Sequence, residues 1–135
     1  MTPRRNLILR RARIGLYVVA AAAVLYLSLR FDVTGLPTEG CTPVRDIPPG
    51  SRLVVDLHAS TLFEGDAVLF RAADDELLLG LVGVLPPTAP ETFAERVGAG
   101  ELWIVADNES CPARDSRALG PIPRDRVVGK VFLSL

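Results

Sequence analysis

At 135 residues the chain has room for one small folded domain and an appendage. Its charge is lopsided: Arg4, Arg5, Arg10, Arg11 and Arg13 crowd a first stretch that holds no acid, whereas the residues after Arg30 carry nine basic and 16 acidic groups, a formal −7. A nucleic-acid surface needs clustered positive charge, so the larger part of the chain is excluded from that class.

The basic residues occupy segment 1–13, and residues 14–29 that follow are uncharged and apolar all round. As a helix this run spans about 24 Å, slightly short of a hydrocarbon core of roughly 30 Å. Arg13 and Arg30 can snorkel, and residues 31–33 can lengthen the span. Tyr17 and Tyr26 lie towards its two ends, where aromatic rings favour the interface. A cleaved secretory signal is the alternative, but the run is long and ends in Leu-Ser-Leu-Arg, which is no small-residue cleavage site. The expectation is an uncleaved single-pass anchor over 14–30. The arginines that precede it put the N-terminus in the cytoplasm and residues 31–135 outside the cytoplasmic membrane. Both cysteines, Cys41 and Cys111, then lie where disulfides can form.

From Gly35 to Gly50 proline and glycine are too dense for a helix, and the stretch reads as a loop. Residues 52–57 read as a strand, 58–62 as a turn, and 63–70 as a Gly-Asp turn leading into another strand. Asp74, Asp75 and Glu76 make a hairpin tip. Residues 77–85 follow, apolar on both faces, as a fully buried strand would be. After the rigid loop 86–90, residues 91–97 have length for one or two helical turns. A strand at 102–106, a polar loop at 107–117 and a last strand at 127–133 complete the chain. Neither an internal repeat nor a low-complexity tract interrupts it. The fold class expected is mostly β: a single N-terminal transmembrane helix, then a small antiparallel β domain of six or so strands.

The last third has an ordered pattern: strand, Asp107-Asn108, a short loop, Asp115-Ser116-Arg117, then Gly120-Pro121-Ile122-Pro123 and a strand containing Val128-Gly129-Lys130. This layout resembles the C-terminal signature of type I signal peptidases, which reads roughly G-D-N, five residues, D-S-R-x-x-G-x-V-P, then V-G-(K/R). Here Ala106 replaces the first glycine, and six residues separate Asn108 from Asp115. Earlier blocks of the family, I-P-S-x-S-M-x-P-T-L, R-G-D-I-V-V-F and K-R-V-(I/V)-G-L-P-G-D, fall in order on 36–43, 64–70 and 80–86. A further block, G-D-x-(I/V)-x-V, falls on 49–55. The resemblance covers nearly all of 31–135 and implies a β domain of the signal peptidase type.

Members of that family cleave with a serine nucleophile and a neutral lysine base, a form that burial in an apolar setting maintains. Laid on this chain, the nucleophile slot is Gly40 and the base slot is Leu79; Thr38 keeps a hydroxyl where the family has its oxyanion helper. The chain's single lysine, Lys130, belongs to the last strand and is expected to be solvated. No serine lies between Ser28 and Ser51. The resemblance therefore implies a non-catalytic relative that binds exported polypeptide or a partner, such as an intact peptidase. It implies no cofactor and no metal. The alternative is an active endopeptidase removing signal peptides from exported preproteins, with Cys41 as nucleophile and His58, the single histidine, as base.

Against the thiol stands a disulfide from Cys41 to Cys111, because in the family fold the D-S-R loop packs near the nucleophile loop. Bridged and free cysteines both stay open at this point. With its dyad gone, the motif set Asp107, Asn108, Asp115, Ser116 and Arg117 reads as scaffold, and Trp103 as core.

Overall fold

The computed structural model describes residues 3–135. Its first unit runs to Phe31 and the second from Asp32 to Leu135. The first is helix α1, Pro3–Arg30, which continues through the basic segment as well as the apolar one. Residues 6–30 are long and apolar enough to cross a membrane. Arg30 ends the helix and holds its guanidinium 5.6 Å from the centre of the Phe31 ring. The helix does not lengthen beyond that point: Phe31–Gly35 is a strand, β1, so residues 31–33 are no part of a longer span.

The second unit is built on a six-stranded antiparallel sheet. Its members are β1, β2 (Arg52–Asp56), β3 (Ala67–Arg71), β4 (Leu77–Val82), β6 (Ile104–Val105) and β8 (Val127–Ser134), in the spatial order β1-β2-β8-β3-β4-β6. Two short strands, β5 (Glu101–Leu102) and β7 (Ile122–Pro123), pair separately. Helix α2, Glu91–Gly98, precedes β5, and the one-turn helix α3, Ser116–Leu119, precedes β7. With 31% of the chain helical and 27% in strands, the fold is mixed rather than mostly β. The long α1 accounts for most of that difference.

Strand alternation explains the layering. On one face Leu53, Val55, Leu69 and Leu79 pack against Val44 and Ile47 from the loop that crosses the sheet between β1 and β2. On the other, Val68, Phe70, Val82 and Ile104 pack with Ile122 and, from α3, Leu119. β3 and β4 are therefore covered on both sides, as their unbroken apolar sequences require. Fully burying side chains such as Phe70 and Leu53 stabilises the domain by about 2 kcal/mol each.

The expected hairpin tip is present: Asp75 takes φ 63°, and the Ala72 and Glu76 backbones close the turn between β3 and β4. The run expected at 102–106 is instead two strands broken at Trp103, which is buried against Phe93 with ring centres 6.3 Å apart. Gly129 is dictated by packing. A Cβ there would lie 2.6 Å from both the Asp56 carbonyl oxygen and Val55 Cγ1, because β8 presses directly on β2.

Candidate functional site

A cleft of about 300 Å³ is lined by Leu79 and by Pro37, Glu39 and Cys41, the chain neighbours of Thr38 and Gly40, which themselves do not line it. One wall is the crossing loop, with Leu36, Pro37 and Cys41; the opposite wall is the start of β4, with Leu77 and Leu79; the rim is the segment Cys111 to Arg114. β4 pairs with β3 along its length, but β6 reaches only Leu81 and Val82. The stretch from Leu77 to Leu79 thus turns an edge without a strand partner towards the cleft.

The crossing loop is fixed from three directions. Cys41 is bonded to Cys111, with Cα atoms 5.5 Å apart. Asn108 donates from its side-chain amide to the Thr42 carbonyl at 2.8 Å, and the Asp107 and Asn108 backbone N–H groups both donate to the Pro43 carbonyl. Asp107 also accepts from the Arg45 backbone N–H at 2.7 Å. Below them the buried Thr42 hydroxyl lies within reach of the carbonyls of Val44 and Ile47, which share its one hydrogen. The D-N pair is thus a clip that holds the loop to the chain leaving β6.

Asp115, Ser116 and Arg117 serve the neighbouring edge. Asp115 is almost completely buried and accepts from the Ala106 N–H at 3.0 Å. Ser116, with 1% exposure, accepts from the Ile104 N–H at 2.8 Å, and the Arg117 guanidinium donates to the Ala106 carbonyl at 3.3 Å. Residues 104 and 106 are two apart, so their N–H groups point to the same side of the strand. The motif therefore does with side chains what a further strand would do with its backbone: it satisfies the outer edge of β6. Asp115 additionally caps α3 by accepting from the Arg117 N–H at 3.0 Å, and its carboxylate pairs with the Arg117 guanidinium at 2.6 Å. Burial pushes the Asp115 carboxyl up, but donation from the Arg117 side chain and from the Ala106 and Arg117 backbones outweighs it and holds the group below the usual carboxylate range.

The residues with chemical roles are differently placed. Gly40 is exposed, takes φ +95°, and has open space within 4 Å of where a Cβ would project. Thr38 is also exposed, between Pro37 and Glu39, both of which line the cleft. Leu79 lies in the core beneath the cleft. Glu76 is on the cleft rim, where it accepts a 2.5 Å ion pair from Arg114. Arg114 also pairs with Asp74 at 2.9 Å. That bond, ahead of the other contributions, lowers the Asp74 carboxyl below its ordinary range. The sequence marked Asp74 and Glu76 only as part of the hairpin tip and Arg114 only as part of the polar loop, and no local pattern pairs residues 38 and 40 positions apart.

The alternative nucleophile is removed. Cys41 is half of a disulfide and offers no thiolate. His58 is exposed just beyond β2, donating its backbone N–H to Asp56 at 2.9 Å, and it does not line the cleft. In the order β2-β8-β3-β4 it lies three strands from β4, about 14 Å at 4.8 Å per strand. Lys130 is not solvated as expected. It is half-buried and pairs with Asp66 at 3.1 Å, a bond that secures the turn before β3. Among the described residues, no three His, Cys, Asp or Glu side chains gather closely enough to hold a metal ion. No protein-family model matches this chain, and no curated protein is significantly similar to it.

Proposed function

We propose that this is a membrane-anchored, signal peptidase I-like protein that has lost catalysis and binds extended polypeptide in the cleft. One observation carries the reading: the cleft opens onto the unpaired Leu77–Leu79 edge, while its walls offer no serine, no lysine and no free thiol. The family's serine slot holds Gly40 and its lysine slot the buried Leu79, and the adjacent thiol is consumed in the Cys41–Cys111 bridge. A strand edge above leucine side chains suits a peptide that adds as a strand, drawing affinity from backbone hydrogen bonds and selectivity from alternate side chains. The motif order along 36–130 supports a β domain of the signal peptidase type. The arginine-first helix supports a cytoplasmic N-terminus, with the β domain beyond the inner membrane. In that position the ligands are exported preproteins, or an intact peptidase handling them.

Two measurements test it. The detergent-solubilised full chain, incubated with a preprotein, is expected to release no mature product. A photo-crosslinking residue in place of Leu77 is expected to trap a preprotein, and the same residue in place of Glu91 on α2 to trap none. Mature product would show that the catalytic group has been misplaced. Equal trapping at both positions would show that the cleft is not the binding site.

A further inference from the structure

Helix α1 begins about three turns before its apolar run, and one strip along it has an unusual order. Asn6, Arg10, Arg13 and Tyr17 recur at spacings of four, three and four, which places them on one face. Asn6, Leu9, Arg10 and Arg13 together line a hollow of about 420 Å³ on that face. Arg11 lies on the opposite side of the helix. The first 31 residues contain no acid, and Arg10 and Arg13 have no ion pair among the described residues. Below the hollow, Tyr17 is exposed, and beneath it on the same strip are Ala20 and Val24.

We infer that this strip binds one anionic phospholipid, with Arg10 and Arg13 on its phosphate. The chemistry matches from top to bottom. Two guanidiniums supply the paired donors that phosphate oxygens accept, and the Asn6 amide reaches the glycerol or headgroup oxygens. The phenol of Tyr17 belongs at the depth of the ester groups. The small Ala20 leaves a shallow channel in which an acyl chain can lie against the helix. Diffuse attraction of a basic segment to an anionic surface would depend on the number of arginines only. A site on one strip depends on which arginines are present. The inference rests on α1 spanning a bilayer, and not on what the β domain does.

The experiment uses the full chain reconstituted in vesicles of equal parts phosphatidylglycerol and phosphatidylcholine, followed by native mass spectrometry of the lipids that remain bound. The wild type is expected to retain phosphatidylglycerol preferentially. Arg10→Gln and Arg13→Gln should each reduce that preference about fivefold, and the two together more strongly still. Arg11→Gln should leave it near wild type. An equal loss in Arg11→Gln would mean diffuse charge, and undiminished retention in the Arg10→Gln/Arg13→Gln double variant would mean no site on this strip; either result overturns the inference. Alkaline extraction of the same vesicles reads insertion separately, and extraction of the wild type would remove the anchored helix on which the site depends.

Discussion

Truncating the three residues of the D-S-R motif one at a time should destabilise the β domain in the order Asp115, Ser116, Arg117. Asp115→Ala leaves the Ala106 N–H without its acceptor and removes the cap of α3. An orphaned, part-buried donor costs about 1–3 kcal/mol and a lost cap about 1 kcal/mol, so the total is about 3 kcal/mol. Ser116→Ala orphans only the Ile104 N–H, but at a site with no exposure, for about 2 kcal/mol. Arg117→Ala removes a guanidinium whose side chain is 64% exposed, so solvent screens the pair and water can replace part of its donation to the buried Asp115, for about 1 kcal/mol. Trp103, the single tryptophan, is buried and adjacent to Ile104, so its fluorescence follows the relevant edge. In urea titrations of the full chain in detergent, a slope of about 1.5 kcal/mol/M converts 3 kcal/mol into a midpoint lower by about 2 M. Arg117→Ala costing as much as Asp115→Ala would refute the edge-satisfying role, because the ion pair would then be the stabilising part.

Four further outcomes follow from the same geometry. The Asp115 carboxyl has a folded pKa below its unfolded value of about 3.9, so its contribution is present above that value and is lost as pH falls through the lower folded one. The wild-type urea midpoint should therefore drop below about pH 4 more steeply than that of Asp115→Asn. Replacing Cys41 and Cys111 together by serine opens a loop of 70 residues and should cost about 4 kcal/mol in the chain-entropy model, read by the same titration. Two alkylatable thiols in protein from native membranes would show that the bridge is not formed there. Gly129→Ala should cost about 1–3 kcal/mol through its clash with the Asp56 carbonyl, whereas a wild-type midpoint would mean that β8 and β2 can separate freely. Gly40→Ser should remain inactive on a preprotein and lose about 1 kcal/mol, since φ +95° strains any side chain there.

Much of the architecture was legible because periodicity reports burial. The apolar runs in β3 and β4 and the polar hairpin tip between them reflect strands covered on both faces, although the second strand, expected over 77–85, ends at Val82 and leaves Val84 exposed. The extension of the span through residues 31–33 failed because hydropathy does not distinguish a helix end from the start of a strand. Asp32, Val33 and Thr34 suit both an interface and a sheet edge. Trp103 splits its strand because the indole turns inward against Phe93, a contact with a residue ten positions earlier that no local pattern encodes. The pairing of Lys130 with Asp66 was hidden for the same reason: the two residues meet only when β8 lies beside β3.

The motif that most directs attention to a peptidase is also the least informative about catalysis. The hydrogen bonds made by Asp107, Asn108, Asp115 and Ser116 end on backbone or side-chain groups of this domain, and those of the D-N pair that reach the cleft wall end on the Thr42 and Pro43 backbone. A chain must keep such residues to close the outer edge of β6 and to hold the crossing loop, whether or not it cleaves anything. On the proposed reading, bond breaking would depend instead on the slots beside Cys41 and within β4, which hold Gly40, whose backbone turn disfavours any replacement, and the buried Leu79. Fold and reaction are thus written in separate residues of the same motifs. On that reading a family pattern would persist while the reaction is lost, and preprotein cleavage, not motif matching, is the measurement that distinguishes the two.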